Sequence, residues 1–127
     1  MRALILKALF LVLASTASSL SKEAFEGIWA TSDQECRDKE GPNSRTYIDL
    51  SYTTKGRRTP IIDQYENHCQ IKSFTKSGHS LKVMAACYDS WDDFETNSSG
   101  QKAIFMFDKI TSTTLAIDTK RYVRCFD

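Results

Sequence analysis

His68-Cys69-Gln70-Ile71-Lys72-Ser73-Phe74-Thr75-Lys76-Ser77-Gly78-His79-Ser80-Leu81-Lys82-Val83-Met84-Ala85-Ala86-Cys87-Tyr88 is the stretch on which the fold turns. Residues Asp63 to Thr75 and Ser80 to Tyr88 read as two strands around the turn signal Lys76-Ser77-Gly78-His79. With a Ser77-Gly78-His79 loop, Thr75 faces Leu81, Ser73 faces Val83, Ile71 faces Ala85 and Cys69 faces Cys87. The same register puts Ile71, Leu81, Val83 and Ala85 on one side, so the apolar face and the paired cysteines agree. Directly opposed residues on antiparallel strands bring their Cβ atoms close enough for a disulfide.

Pairing Cys69 with Cys87 leaves Cys36 for Cys125, which ties an early polar loop to the last strand. An even cysteine count in a short chain reads as a disulfide framework when the compartment is oxidising. The first residues supply that compartment: Met1-Arg2 is a basic start, Ala3 to Ala14 is almost continuously apolar, and Ser15-Thr16-Ala17-Ser18-Ser19 offers small residues for cleavage. About twelve apolar residues interrupted by Lys7 fall short of the roughly 20 that span a bilayer. We therefore read 1–19 as a cleavable signal peptide and 20–127 as a single β domain, a periplasmic or secreted monomer with no membrane span after processing.

Removing Arg2 and Lys7 with the leader leaves fifteen basic residues against sixteen acidic ones, a net charge of about −1. Such a balance gives no pull toward nucleic acid or anionic membranes. Roughly 105 residues support one thin core, to which two disulfides add about 2 to 4 kcal/mol each.

Working outward from the hairpin, Ala24-Phe25-Glu26-Gly27-Ile28-Trp29-Ala30 reads as the first strand, with Gly27 at a close-packed or bulged position. Thr31 to Arg45 is a polar loop holding Cys36. Thr46 to Tyr52 alternates, with Ile48, Leu50 and Tyr52 on one face. Thr54 to Pro60 reads as a basic loop. Ala103 to Phe107, Thr114 to Ile117 and Tyr122 to Phe126 supply further strands, with turns over Asn97 to Gly100 and Asp108 to Thr113. About seven or eight strands joined by short polar connections, with no sustained helical period, predict an all-β antiparallel meander. Terminal strands joined by a disulfide favour a closed barrel over a sandwich. Trp29, Phe105 and Phe107 are expected to fill its interior.

No constellation of catalytic groups stands out. His68 and His79 lie on a strand and in a turn with no further ligand nearby, so they read as surface histidines, and neither metal nor cofactor is expected. A serine nucleophile at Ser77-Gly78-His79 lacks its strand-turn-helix elbow. The cluster Asp89-Ser90-Trp91-Asp92-Asp93-Phe94-Glu95 is the most unusual surface feature. Its spacing does not match an EF-hand loop. We read Asp89, Trp91, Asp92, Asp93, Phe94 and Glu95 as a loop presented to a protein partner. Lys55-Gly56-Arg57-Arg58 reads as a solvated basic loop, and Asn97-Ser98-Ser99 fits the N-glycosylation pattern.

Gly27-Ile28-Trp29-Ala30, Cys36, the Cys69 and Cys87 hairpin and the terminal Cys125 together resemble small exported two-disulfide β-proteins of alphaproteobacteria, for which no activity is assigned. Tyr52-Thr53-Thr54-Lys55-Gly56 and Ser77-Gly78 also resemble the motifs of periplasmic inhibitors of c-type lysozyme. In that family the tyrosine stands two residues further from Thr-Lys-Gly and Ser-Gly comes first, so no inhibitory residue is carried over. The expected function is a non-enzymatic binding or inhibitory module facing a protein partner in the envelope or outside the cell. A lipocalin-like carrier of a small ligand and a hydrolase using the acidic loop are the alternatives.

Overall fold

The computed structural model describes residues 22–126; the leader predicted over 1–19 lies outside them. The order of elements begins with a 3-10 turn (Lys22–Phe25), β1 (Gly27–Ala30), α1 (Asp33–Arg37), β2 (Thr46–Asp49), β3 (Thr53–Thr54), β4 (Arg57–Arg58) and β5 (Ile61–Gln64). It continues through β6 (Asn67–Ser77), β7 (Ser80–Tyr88), α2 (Trp91–Thr96), β8 (Gln101–Thr111), β9 (Thr114–Ile117) and β10 (Lys120–Arg124). Eight strands close in the order β1-β10-β9-β8-β7-β6-β5-β2, and β3 and β4 form a separate small hairpin. The expected antiparallel barrel is the fold, and both disulfides join the expected partners, Cys36 to Cys125 and Cys69 to Cys87.

Alternation fills the barrel axis. Trp29, Ile48, Ile62, Cys69, Val83, Phe107 and Leu115 are fully buried, with Leu81, Ile71 and Ala85 close behind. Phe105, on the same face of its strand as Phe107, is partly buried against this cluster. Phe25, at the end of the 3-10 turn, caps one end of the core against Phe107, with ring centroids 5.4 Å apart. Trp29 donates its indole N–H to the Phe25 carbonyl. Arg124 and Lys109 both lie over the Trp29 ring and donate to the Ala24 carbonyl, and Arg124 also donates to Glu26. Burial and the nearby Arg124 cation pull the Lys109 amine below its ordinary pKa.

The register of the β6–β7 hairpin holds where the cysteines anchor it and shifts nearer the turn. His68, Cys69, Gln70 and Ile71 face Tyr88, Cys87, Ala86 and Ala85 as expected. Beyond a bulge at Lys72, Phe74 faces Val83 and Ser77 faces Ser80, so the turn is the two residues Gly78-His79. Gly78 adopts φ +60°, which a two-residue hairpin turn requires and glycine supplies without strain. The bulge restores phase: it turns Phe74 toward the core in place of Ser73.

Several other expectations are corrected. Asp63 to Thr75 is not one strand, because Tyr65-Glu66 turns the chain back, with Glu66 at φ +49°. Ala24-Phe25 belongs to the 3-10 turn. Asp108 to Thr111 extends β8, held by Asp108 opposite Ala116 and Lys109 opposite Leu115, and only the residues after it turn. Two short helices replace loop at Asp33–Arg37 and Trp91–Thr96, so Cys36 is helical. Tyr52 leaves the face of Ile48 and Leu50. It packs instead against a second, outer cluster of Ile61, Tyr88 and Phe94 beneath α2. Among the described residues, no helix is long and apolar enough to cross a membrane.

Candidate functional site

The registers of five strands place Ile28, Tyr47, Asp63, His68 and Tyr88 side by side in one lateral row on the barrel's outer wall. Adjacent strands lie about 4.8 Å apart, so the row runs for about 19 Å. Over the part from Ile28 to His68 lies an open groove of about 690 Å³. The polar β1–β2 connection walls it with Lys39, Glu40, Gly41, Ser44 and Arg45, and the β5–β6 turn walls it with Tyr65 and Glu66.

Each floor residue is held. Tyr47 donates its hydroxyl to Asp49, and burial together with that carboxylate pushes the Tyr47 pKa up. Gln64 donates to Thr46 and accepts from Asn67. His68 Nδ1 lies 2.5 Å from Asp63 Oδ1, with 12% of the histidine side chain exposed. A carboxylate can only accept, so His68 Nδ1–H is the donor in this contact.

α2 closes the end of the row. Ser90 caps the helix by accepting from the Asp93 N–H, and Asp92 and Asp93 sit in the first turn, where negative charge complements the helix dipole. The helix is pinned from below: Phe94 is fully buried, and Gln70 donates to its carbonyl from β6. That anchoring lays the Trp91 ring over His68 with centroids 4.1 Å apart, while Tyr52 stacks on its neighbouring side. His68 is therefore stacked under Trp91 and bonded to Asp63, in place of the surface histidine expected. His79 is exposed in its turn.

The acidic segment thus divides. Asp89, Asp92 and Glu95 are exposed, Trp91 is 39% exposed beside the groove, Asp93 is half-buried and Phe94 is internal. Tyr47 and Tyr65, 40% and 48% exposed, line the depression, and Trp91 stands at its His68 edge. The sequence does not single out Tyr47, Asp63 or Tyr65, and in it His68 reads as an isolated surface histidine. Their adjacency depends on the Tyr65-Glu66 turn, which carries no glycine, proline or asparagine. Lys55, Arg57 and Arg58 belong to the β3–β4 hairpin and stay exposed away from this floor. Among the described residues, no three metal-ligating side chains stand together.

Set against family models, curated proteins and solved structures, the chain matches none.

Proposed function

We propose that this chain is an exported, non-enzymatic binding or inhibitory module that holds a segment of a protein partner in the groove over Ile28, Tyr47, Asp63 and His68. The observation that carries the reading is that two partly exposed tyrosines, Tyr47 and Tyr65, line one depression, while Trp91, also partly exposed, stacks on His68 at its edge. Aromatic anchors around a preformed hollow, rimmed by mixed charge, are the usual makings of a recognition hot spot. Lys39 and Glu40 on one wall and Glu66 beside Tyr65 on the other give a partner's polar groups counterparts of either sign. Both disulfides are consistent with an oxidising exported environment, where the framework is locked before any partner arrives.

The alternatives draw less support. A lipocalin-like carrier needs interior space, and this barrel's axis is filled by Trp29, Phe107 and their aliphatic neighbours. A hydrolase built on the acidic segment would use carboxylates that here flank a helix N-terminus.

The test is site-specific photo-cross-linking from position 65 in the native compartment, followed by inhibition assays against lysozyme and proteases with the oxidised protein. A cross-linked partner that disappears with Tyr47→Ser, and with Trp91→Ala combined with Asp92→Ala, supports the groove. Undiminished capture by all of these variants removes it.

A further inference from the structure

Closing a barrel pairs strands on both sides, yet a long strand next to a short one keeps a stretch of bare edge. Two strands overshoot in this way. β6 pairs with β5 only from Asn67 to Gln70, and β8 pairs with β9 only from Phe107 onward although its ladder with β7 reaches back to Gln101. The β6 overshoot is guarded by the bulge at Lys72 and by the charges of Lys72 and Lys76, the usual defences of an edge. The β8 overshoot has no bulge between Gln101 and Asp108, and Lys102 is the only charged side chain in 101–107.

The backbone direction along this edge is fixed by one residue. Met106 donates its N–H to Asp118 Oδ1 and accepts at its C=O from the Asp118 N–H, so both groups of Met106 point away from β7. In a regular antiparallel strand the direction repeats every second residue, which turns the N–H and C=O of Ile104 and Lys102 the same way. No strand among the described residues pairs with them there. On the outer face beside this edge, Met84 and Ile104 stand directly opposite each other, 43% and 53% exposed. Lys102 precedes them along β8 and Lys82 follows opposite Met106.

We propose that the Lys102–Ile104 edge of β8 accepts an added strand from a partner protein, supplied by an extended segment that carries a carboxylate and an apolar side chain two positions apart. Main-chain groups of Lys102 and Ile104 set the register, as in other strand additions. The apolar side chain lies against Ile104 and Met84, and the carboxylate meets Lys102. A second copy of this chain fits less well. Pairing about a two-fold at Ala103 brings the two Lys102 side chains within a diagonal distance of about 7 to 8 Å on one face, and 101–107 holds no carboxylate to offset them. This proposal is independent of the groove, which lies across β1, β2, β5 and β6.

The probe is the capped peptide Glu-Thr-Val-Thr-Glu, titrated into the processed, oxidised protein while backbone amide resonances are followed. Saturable shifts at Lys102 and Ile104 are expected, with about tenfold weaker binding for the lysine counterpart Lys-Thr-Val-Thr-Lys. Ile104→Pro deletes an N–H that serves no ladder bond, so the core resonances stay in place while affinity falls about tenfold. Lys102→Glu, which leaves the backbone untouched, reverses the preference between the two peptides and serves if the proline variant does not fold. Absence of shifts at Lys102 and Ile104, equal binding of both peptides, or a dimer that the neutralising change Lys102→Gln strengthens overturns the proposal.

Discussion

A Cβ at position 27 would lie 2.5 Å from Arg124 Nη1, and the backbone there has φ +135°, a region that glycine occupies freely and other residues rarely. Gly27 is therefore the close approach that the sequence suggests, but what approaches is a side chain from the opposite end of the chain, which no local pattern names. Arg124 fills the space: it lies 4.2 Å from the Trp29 ring centre and donates to the carbonyls of Ala24, Glu26 and Ser112. Charge-assisted hydrogen bonds and a desolvated cation–π contact together are worth about 2 to 4 kcal/mol, so Arg124→Ala should lower the urea midpoint accordingly. Arg124→Lys keeps the charge and loses the fork, and should recover less than half of that loss. A second residue-level outcome concerns pH. Burial, then the carboxylates of Glu35 and Asp118, raise the Tyr122 pKa above the value of about 10 that tyrosine has in an unfolded chain. Its contribution to stability is thus fully present below pH 10 and is lost as pH rises through the folded-state value. Tyr122→Phe should flatten this part of the alkaline stability profile, as read by urea unfolding across the alkaline range.

At the scale of elements, what was legible followed from anchors, and what was not followed from interruptions. The Cys69 and Cys87 pair pins one half of the β6–β7 hairpin, so that half reads correctly from alternation alone; the extra residue at Lys72 breaks the count for the other half. α2 spans six residues, too few for an apolar period to show, although Ser90 followed by Asp93 three places on is a capping pattern. Trp91 was visible as an unusual aromatic, but its stacking partner His68 was not, because the helix must fold back onto β6 before the two meet. The cap is testable by itself. Ser90→Ala leaves the Asp93 N–H without its acceptor and should cost about 1 kcal/mol. Because Phe94 and Trp91 ride on the same short helix, the change should also increase solvent exposure of Trp91, seen as a red shift of its fluorescence against the fully buried Trp29. An unshifted spectrum with the full stability loss would place the cap's contribution elsewhere than in seating Trp91.

For the whole molecule, closure is the costly step, since β1 and β10 join residues from the two ends of the domain. Their ladder is short, pairing Trp29 with Arg124 and Ala30 with Val123, and the Cys125 N–H adds one bond to the Ile28 carbonyl. The Cys36–Cys125 disulfide sits across this seam and spans 89 positions, whereas Cys69–Cys87 spans 18 within one hairpin. Loop-closure entropy assigns about 4.5 kcal/mol to the longer link and about 3 kcal/mol to the shorter. The longer link is also the more accessible: Cys36 and Cys125 are both half-buried, whereas in the shorter link only Cys87 is half-buried and Cys69 is fully enclosed by the core. A disulfide must be reached by a thiolate before it exchanges. Limiting reductant should therefore open Cys36–Cys125 first and leave Cys69–Cys87 intact, as mass mapping of alkylated cysteines will show. The singly reduced protein should lose a large part of the 5 to 15 kcal/mol typical of a domain. Amide exchange should rise first at Ile28, Ala30 and Val123, along the seam. Prior cleavage of Cys69–Cys87 would overturn the order that accessibility sets, and exchange spread evenly over all eight barrel strands after loss of Cys36–Cys125 would mean that the Arg124 clamp and the Phe25 cap hold the seam without the bond.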